Sequence, residues 1–465
     1  MPAPSRKRIM FDLNGTIQFT VTLAGWLHPT IIPRSRHYTL KAITMTAALL
    51  IIAIVTACYT MFAKRLASTP LTAPILFIAV GAFMSVSGLF KADQTEHILH
   101  LTAEIALILL LFLDASQIDL KVLRRDHGWP IRMLLAGLPL SVLIGSIVAW
   151  LLLPGWPIAA VVLMAALLAP TDAALGQAVV SNTIVPDRVR RTLTVESGLN
   201  NGLALPLVLL FASLLSAELS QDGTYWLVFA TTQLILGPLA GIALGWLGGR
   251  VLLWSKARGY TSEVYEGVGA ISLALATYLL ANQMGGNGFI AAFVGGLTFG
   301  NVVKGQCKFI YEFTESEGQL LSWGAFFLLG LVLVPTAVNH LGVAELAVIL
   351  TSLFIVRPLA VWISLAGTDT TLMTRLFLGW FGPRGLATAL FALLVAQHNG
   401  PEVAEPILML AINAVWISAL LHGVTAAPAT RWYAGRLSKT ADCAETRPIL
   451  SSAKPLRAYQ PQDIN

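Results

Sequence analysis

Apolar runs of about twenty residues, separated by short polar stretches, recur along the chain from residue 42 to residue 427. A run of that length crosses a hydrocarbon core of about 30 Å as a helix. The runs fall at 42–63, 71–90, 98–114, 132–154, 156–180, 192–217, 224–250, 264–282, 286–304, 318–337, 342–366, 373–397 and 404–427. This pattern predicts an all-α polytopic membrane protein with about thirteen transmembrane helices. The stretches between runs are too short for a soluble domain. Three regions follow: an N-terminal extension at 1–41, a transmembrane domain at 42–428, and a polar, proline-containing tail at 429–465 that is expected to be disordered and cytoplasmic.

Composition agrees with the pattern. Of 465 residues, 56% are hydrophobic and 12% charged, about half the charged share of soluble domains. The mean hydropathy is +0.73. The net charge of +6 does not point to nucleic acid, because the basic residues sit in short clusters between apolar runs. Those clusters also orient the chain. Lys64 and Arg65, Lys121, Arg124 and Arg125, Arg188, Arg190 and Arg191, Arg250, Lys256 and Arg258, Lys304 and Lys308, and Arg375 follow odd-numbered runs. The stretches after even-numbered runs are neutral or acidic, as at Glu218, Asp222, Glu402 and Glu405. Positive charge stays inside, so the odd loops and the C-terminal tail are expected in the cytoplasm of a cell bounded by this membrane, with a bacterial inner membrane as the expected location. The basic residues at Arg6, Lys7, Arg8, Arg34, Arg36 and Lys41 conflict with an external N-terminus, and residues 1–41 read either as an extra interfacial element or as an extension ahead of a start at Met45. Asn14-Gly15-Thr16 fits a glycosylation sequon, a weak three-residue match. Cys58, Cys307 and Cys443 are widely separated and have no metal-ligand spacing.

Ionisable groups at membrane depth are costly and mark sites. Asp172, Glu196 and Arg384 lie well inside apolar runs. Asp172 stands in LLAPTDAALG, where Pro170 cannot donate a backbone hydrogen bond and should break the helix. Backbone freed beside Thr171 and Asp172 suits a small hard cation. In VESGLNNGLALP, Glu196 and Asn200 are one turn apart, as are Ser197 and Asn201, so two adjacent polar strips run down one helix side. Interhelical hydrogen bonding explains Asn200 as an alternative, but Glu196 needs a cation or a proton. Arg384, in GWFGPRGLATAL, is the expected partner of Glu196, because a buried guanidinium without one is intolerable. Arg357 is a weaker candidate with a structural or helix-end role. Glu104 and Glu345 are placed nearer run ends, and Asp114 and Asp119 are expected to be solvated.

These residues carry a resemblance. With PLTAPILFIAVG, LLLFLDASQIDLKVLRR, APTDAALGQAVVSN, ESGLNN, GFIAAFVGGLTFGN, FFLLGLVLVP and GPRGLATALFALL, the chain from about 70 to 430 resembles the monovalent cation:proton antiporters, in their sodium/proton exchanger branch with an Asn-Asp site. The resemblance implies an inverted-repeat bundle with broken helices, divided into a core and a dimerisation domain, forming homodimers and working by alternating access in a lipid bilayer. It implies cation binding at Thr171, Asp172, Ser197, Asn200 and Asn201, with the monovalent cation itself at Asp172, Ser197 and Asn201. It also implies a structural ion pair between Glu196 and Arg384. No cofactor is expected, only transported Na⁺, K⁺ or Li⁺ and protons. Asn201 departs from the family pattern, which has an aspartate there.

The departure leaves more than one function open. Antiport needs a carboxylate that binds either the cation or the proton, and an amide cannot exchange a proton. The leading expectation is a secondary transporter exchanging Na⁺, or K⁺ or Li⁺, for protons. The alternative is an antiport-deficient relative acting as a passive cation pathway or membrane sensor. An intramembrane enzyme is disfavoured. No Gly-x-Gly-Asp, His-Glu-x-x-His or Walker-type motif occurs, and the eight histidines show no ligand spacing.

Overall fold

In the computed structural model, residues 35–66, 69–88, 96–121, 128–220, 223–304, 306–398, 400–437 and 443–445 are described. The sequon and most of the N-terminal extension lie outside them, as does most of the tail. The described residues contain helices and no strand. By internal contacts the chain divides into Met1–Leu49 and Leu50–Asn465. In the first unit, residues 35–49 are helical, the start of α1 (Ser35–Leu66).

The second unit continues with α2 (Ala73–Val86), α3 (Glu96–Ser116), α4 (Gly128–Leu152), α5 (Ile158–Leu167), α6 (Ala173–Val180), α7 (Asp187–Ser220) and α8 (Gly223–Ala257). After these come α9 (Glu263–Gln283), α10 (Gly288–Val303), α11 (308–339), α12 (Val343–Ser364), α13 (Leu372–Trp380), α14 (Leu386–His398) and α15 (Pro401–Leu437). Seven of them, α4, α7, α8, α9, α11, α12 and α15, are by themselves long and apolar enough to cross a membrane. Their outward faces carry large apolar side chains such as Leu143, Trp150, Trp246 and Phe354, which lipid rather than water would solvate. The chain is a multi-pass membrane protein.

Prolines explain the irregularities that shape the interior. Pro139, Pro335 and Pro358 each stand two residues beyond the end of a π-helical turn, at Met133–Gly137, Leu329–Leu333 and Ser352–Val356. A proline leaves the carbonyl four residues back unbonded and its ring crowds that turn, so the helix widens there. Two interruptions go further. Pro170 separates α5 from α6, and Gly382, Pro383 and Gly385 separate α13 from α14, leaving 381–385 without helical structure. Joined across their breaks, α5–α6 and α13–α14 are two interrupted helices.

The tail departs from expectation near its start. The helix α15 runs on to Leu437, past the boundary at 428, and residues 443–445 are buried. A polar average over the whole tail hides a short segment whose few side chains fit an apolar base.

Candidate functional site

The two interrupted helices are joined at their breaks. The Asp172 amide donates to the Pro383 carbonyl at 2.9 Å, and Asp172 Oδ2 accepts from the Leu386 amide at 2.6 Å. Asp172 Oδ1 accepts from the Leu175 amide at 3.4 Å. One carboxylate thus stands at the N-termini of both α6 and α14, where unsatisfied amides and the helix dipole favour negative charge. A glycine is required at 385, since a Cβ there would collide with the Asp172 carboxylate.

The opposite end of the break holds the opposite charge. Arg384, 1% exposed, donates from Nη1 to the carbonyls of Ala169 and Pro170 at 3.0 and 3.3 Å. These are the carbonyls released beyond the C-terminus of α5, the negative end of that dipole. The Arg384 amide donates to Ser418 Oγ at 2.7 Å, and His422 lies one turn further along α15, its Nε2 2.8 Å from the Trp380 carbonyl. His422 was not singled out by sequence; its spacing from Ser418 on one helix face is a signal too common to select it.

The expected ion pair is corrected here. Glu196 pairs with Arg357, not Arg384: Arg357 Nη1 and Nη2 donate to the two carboxylate oxygens at 2.9 and 3.0 Å, both residues being buried. The π turn at Ser352–Val356 ends at Arg357, so the proline-widened turn of α12 positions the guanidinium that Glu196 binds. Arg384 bonds the broken backbone instead, through Nη1, while its Nε has no hydrogen-bond partner among the described residues. A released carbonyl serves a guanidinium as an acceptor, which removes the need for a carboxylate.

The polar strips of α7 face the α5–α6 break. Ser197 Oγ donates to the Thr171 carbonyl at 2.9 Å, and Asn200 Nδ2 donates to Thr171 Oγ1 at 2.6 Å and to Glu196 Oε1 at 3.2 Å. Thr171 Oγ1 in turn lies 3.4 Å from Glu196 Oε2. These bonds join Thr171, Glu196, Ser197 and Asn200 at the crossing, and Asp172 and Asn201, their sequence neighbours, are buried with them. The amide oxygens of Asn200 and Asn201 are buried with no hydrogen-bond partner among the described residues. Buried oxygens left unsatisfied in this way are costly, and a dehydrated cation would satisfy them. Asp172 and Glu196 together with Arg357 and Arg384 make the buried charge formally neutral.

Outlying carboxylates divide. Asp114 is half-buried on the last turn of α3, and its charge interacts with that of Asp172, which its expected solvation did not foresee. Asp119 pairs with Lys304 at the end of α10. Glu104 lies in the middle of α3 rather than near its end and accepts from Tyr278 Oη at 2.5 Å. Glu345 sits in the first turn of α12.

The chain is similar to known proteins in sequence and in fold. The chain is 27% identical over 399 residues to the K(+)/H(+) antiporter NhaP of Alkalimonas amylolytica, covering 83% of this chain and 67% of the relative. It is 29% identical over 377 residues to the K(+)/H(+) antiporter NhaP2 of Shewanella sp. strain ANA-3, covering 78% of this chain and 63% of that protein. The chain thus spans about two thirds of the length of these relatives. Its fold matches that of the sodium proton antiporter MjNhaP1 from Methanocaldococcus jannaschii, with TM-score 0.69 at 20% identity over 85% of this chain and 100% of that one. The family model for the sodium/hydrogen exchanger transmembrane region matches residues 19–432. This is a family of transporters rather than enzymes, and the chain belongs to it.

Proposed function

We propose that the protein exchanges a monovalent cation for protons across the cell membrane by alternating access, with the cation held at Thr171, Asp172, Ser197, Asn200 and Asn201. The observation that carries this reading is the crossing itself. One carboxylate stands at two helix N-termini, and the helix that faces this break carries two buried amide oxygens with no hydrogen-bond partner among the described residues. Such a site offers hard oxygen ligands to a cation and one group, Asp172, that can take a proton instead. Glu196 is held by Arg357 and Arg384 by backbone carbonyls, so these three fix the architecture and leave exchange to Asp172. The relatives are named for K⁺ and for Na⁺, and both ions are candidate cargoes here.

The proposal includes thirteen membrane crossings. The seven long helices supply seven, α1, α2, α3 and α10 supply four, and the two interrupted helices supply two. It also includes a homodimer, a division into core and dimerisation domains, and a cytoplasmic C-terminus following the positive-inside pattern. A second reading, a passive cation pathway or sensor, is favoured by the neutral charge count that Asn201 leaves. Proteoliposomes loaded with a pH-sensitive dye separate the two. Collapse of an imposed pH gradient on adding Na⁺, K⁺ or Li⁺, with the membrane potential clamped, is expected. Cation flux without proton movement would overturn exchange and select the passive reading.

A further inference from the structure

Residues Cys443, Ala444 and Glu445 lie beyond the last helix, yet all three are buried, Glu445 to 1% exposure. Glu445 Oε1 accepts from the Thr371 amide at 2.9 Å, the Thr371 hydroxyl at 2.9 Å and the Thr374 hydroxyl at 2.6 Å. Thr371 is the N-cap of α13, its own oxygen accepting from the Thr374 amide at 3.2 Å. The carboxylate is therefore at the positive end of that half-helix. Tyr433 of α15 places its hydroxyl 2.8 Å from the same Thr374 hydroxyl. Arg188, in the first turn of α7, donates to the Ala444 carbonyl at 3.1 Å and to Asp369 at 2.9 Å, and its guanidinium lies 3.9 Å over the Trp129 ring of α4. Cys443 and Ala444 belong to one buried apolar cluster with Val179 of α6, Leu193 of α7, Phe377 of α13 and Leu437 of α15.

The placement is specific. Helices α6 and α13 are the halves of the two interrupted helices that share this cluster. Each meets the cation crossing at one end, α6 at its N-terminus and α13 at its C-terminus. The segment 443–445 is bonded to the other end of α13 and shares its apolar cluster with Val179 near the other end of α6. We infer that Glu445 is a positioning residue: it latches the C-terminal segment onto the far ends of α6 and α13 and so sets the freedom of both half-helices about the crossing. The effect on transport rests on the exchange reading above; the docking does not.

A carboxylate suits a latch better than an apolar anchor would. Its Oε2 has no hydrogen-bond partner among the described residues, so the docked state is only partly satisfied and depends on the bonds to Oε1. The groups facing it are Thr371 and Thr374 of α13, Tyr433 of α15 and neighbouring Cys443, with Arg188 and Asp369 beyond Ala444. Burial pushes the Glu445 carboxyl up, but the bonds from Thr374 and Thr371 outweigh it and hold it below the usual carboxylate range. The latch is therefore closed above that range and weakens only as pH falls below it, so near-neutral changes in cytoplasmic pH leave it shut.

Cys443 provides a direct readout. In full-length Cys58→Ser protein, Cys307 is buried and Cys443 reports docking. Maleimide modification of Cys443 should be slow in that background, about tenfold or more faster with Glu445→Ala, and intermediate with Glu445→Asp, as expected for a local opening. Amide hydrogen exchange should quicken at 173–180 and 372–380 in Glu445→Ala and stay unchanged at 288–303. In proteoliposomes the same variant should change the maximal exchange rate about threefold or more while the half-saturating cation concentration holds, because a conformational step and not the cation's ligands is altered. Glu445→Asp should restore part of the rate. Fast modification of Cys443 in the parent, or hydrogen exchange at α6 and α13 unmoved by Glu445→Ala, overturns the latch. Quickened hydrogen exchange with an unchanged maximal rate overturns its control of transport. Absence of transport in every version refutes the exchange reading, and the two labelling measurements still decide the docking.

Discussion

Removing the Arg357 guanidinium tests the corrected ion pair most directly. Arg357 grips both oxygens of Glu196, at 2.9 and 3.0 Å, and the two residues are 3% and 4% exposed. With charge centres about 4 Å apart and an effective dielectric near 20, the attraction is about 4 kcal/mol. Breaking one side of a buried pair costs about 3–5 kcal/mol, because the remaining charge is stranded. Glu196 keeps Asn200 Nδ2 at 3.2 Å and Thr171 Oγ1 at 3.4 Å, which soften the loss by about 1 kcal/mol at most. Arg357→Met should therefore destabilise the protein by about 3 kcal/mol, and Glu196→Gln in the Arg357→Met background should recover part of that. A double-mutant cycle over residues 196 and 357 should give a coupling of about 2–3 kcal/mol, against less than about 0.5 kcal/mol for residues 196 and 384. Unfolding in mixed detergent micelles, followed by tryptophan fluorescence, measures both cycles. Additive losses at 196 and 357 with strong coupling at 196 and 384 would refute the pairing and restore the sequence-based expectation.

Asn201→Asp adds a carboxylate beside a formally neutral site and should raise cation-dependent proton exchange in proteoliposomes; an unchanged rate and pH profile would show that position 201 does not limit exchange. Gly385→Ala should abolish transport and lower stability by about 1–3 kcal/mol or more, since the new methyl meets the Asp172 carboxylate; thermal unfolding of the purified protein checks it. At Asp369, burial pushes the carboxyl up, but bonds from Arg188 and Trp129 bring it below its usual range. Its contribution to stability should be present above that range and lost as pH falls through the lowered value, so a stability–pH curve for Asp369→Asn should converge with the parent only under acid conditions.

Much of the site was legible because membrane-depth polarity is costly. Spacing and expense singled out Thr171 and Asp172 beside Pro170, and the amides and carboxylate on one side of α7; joining them in one site was what the family resemblance implied. What sequence could not supply was the partner across the bundle. Glu196 is 161 positions from Arg357, and nothing local says which of two buried arginines reaches it. The available hint was Pro358, which widens the preceding turn and redirects Arg357. The role of Arg384 was hidden for a related reason: its acceptors are backbone carbonyls released by Pro170, and backbone acceptors have no signature of their own. Burial of Glu445 was invisible because three residues cannot register in a composition window dominated by polar neighbours.

The balance of charge at the crossing carries one more consequence. Asp172 answers the positive ends of α6 and α14, Arg384 answers the negative end of α5, and Glu196 cancels Arg357. Asp172 accepts from the backbone amides of Leu175 and Leu386, and on the exchange reading proposed above it is the group at which a proton gives way to a cation. Replacing one proton on Asp172 by one monovalent cation leaves the site's charge unchanged. With an amide at 201 and Glu196 held by Arg357, Asp172 is the one carboxylate that this reading assigns to proton exchange. Exchange should then be one for one and electroneutral. A net charge crossing the membrane couples to the potential by about 2.3 kcal/mol per 100 mV, enough to shift a rate or equilibrium by roughly fifty-fold. Initial rates of cation-dependent proton flux should therefore be the same with the potential clamped at zero and at 100 mV of either sign. A rate that climbs steeply with potential would mean that more than one proton moves per cation, and that a further carboxylate, with Asp114 the one whose charge interacts with Asp172, belongs to the transport site.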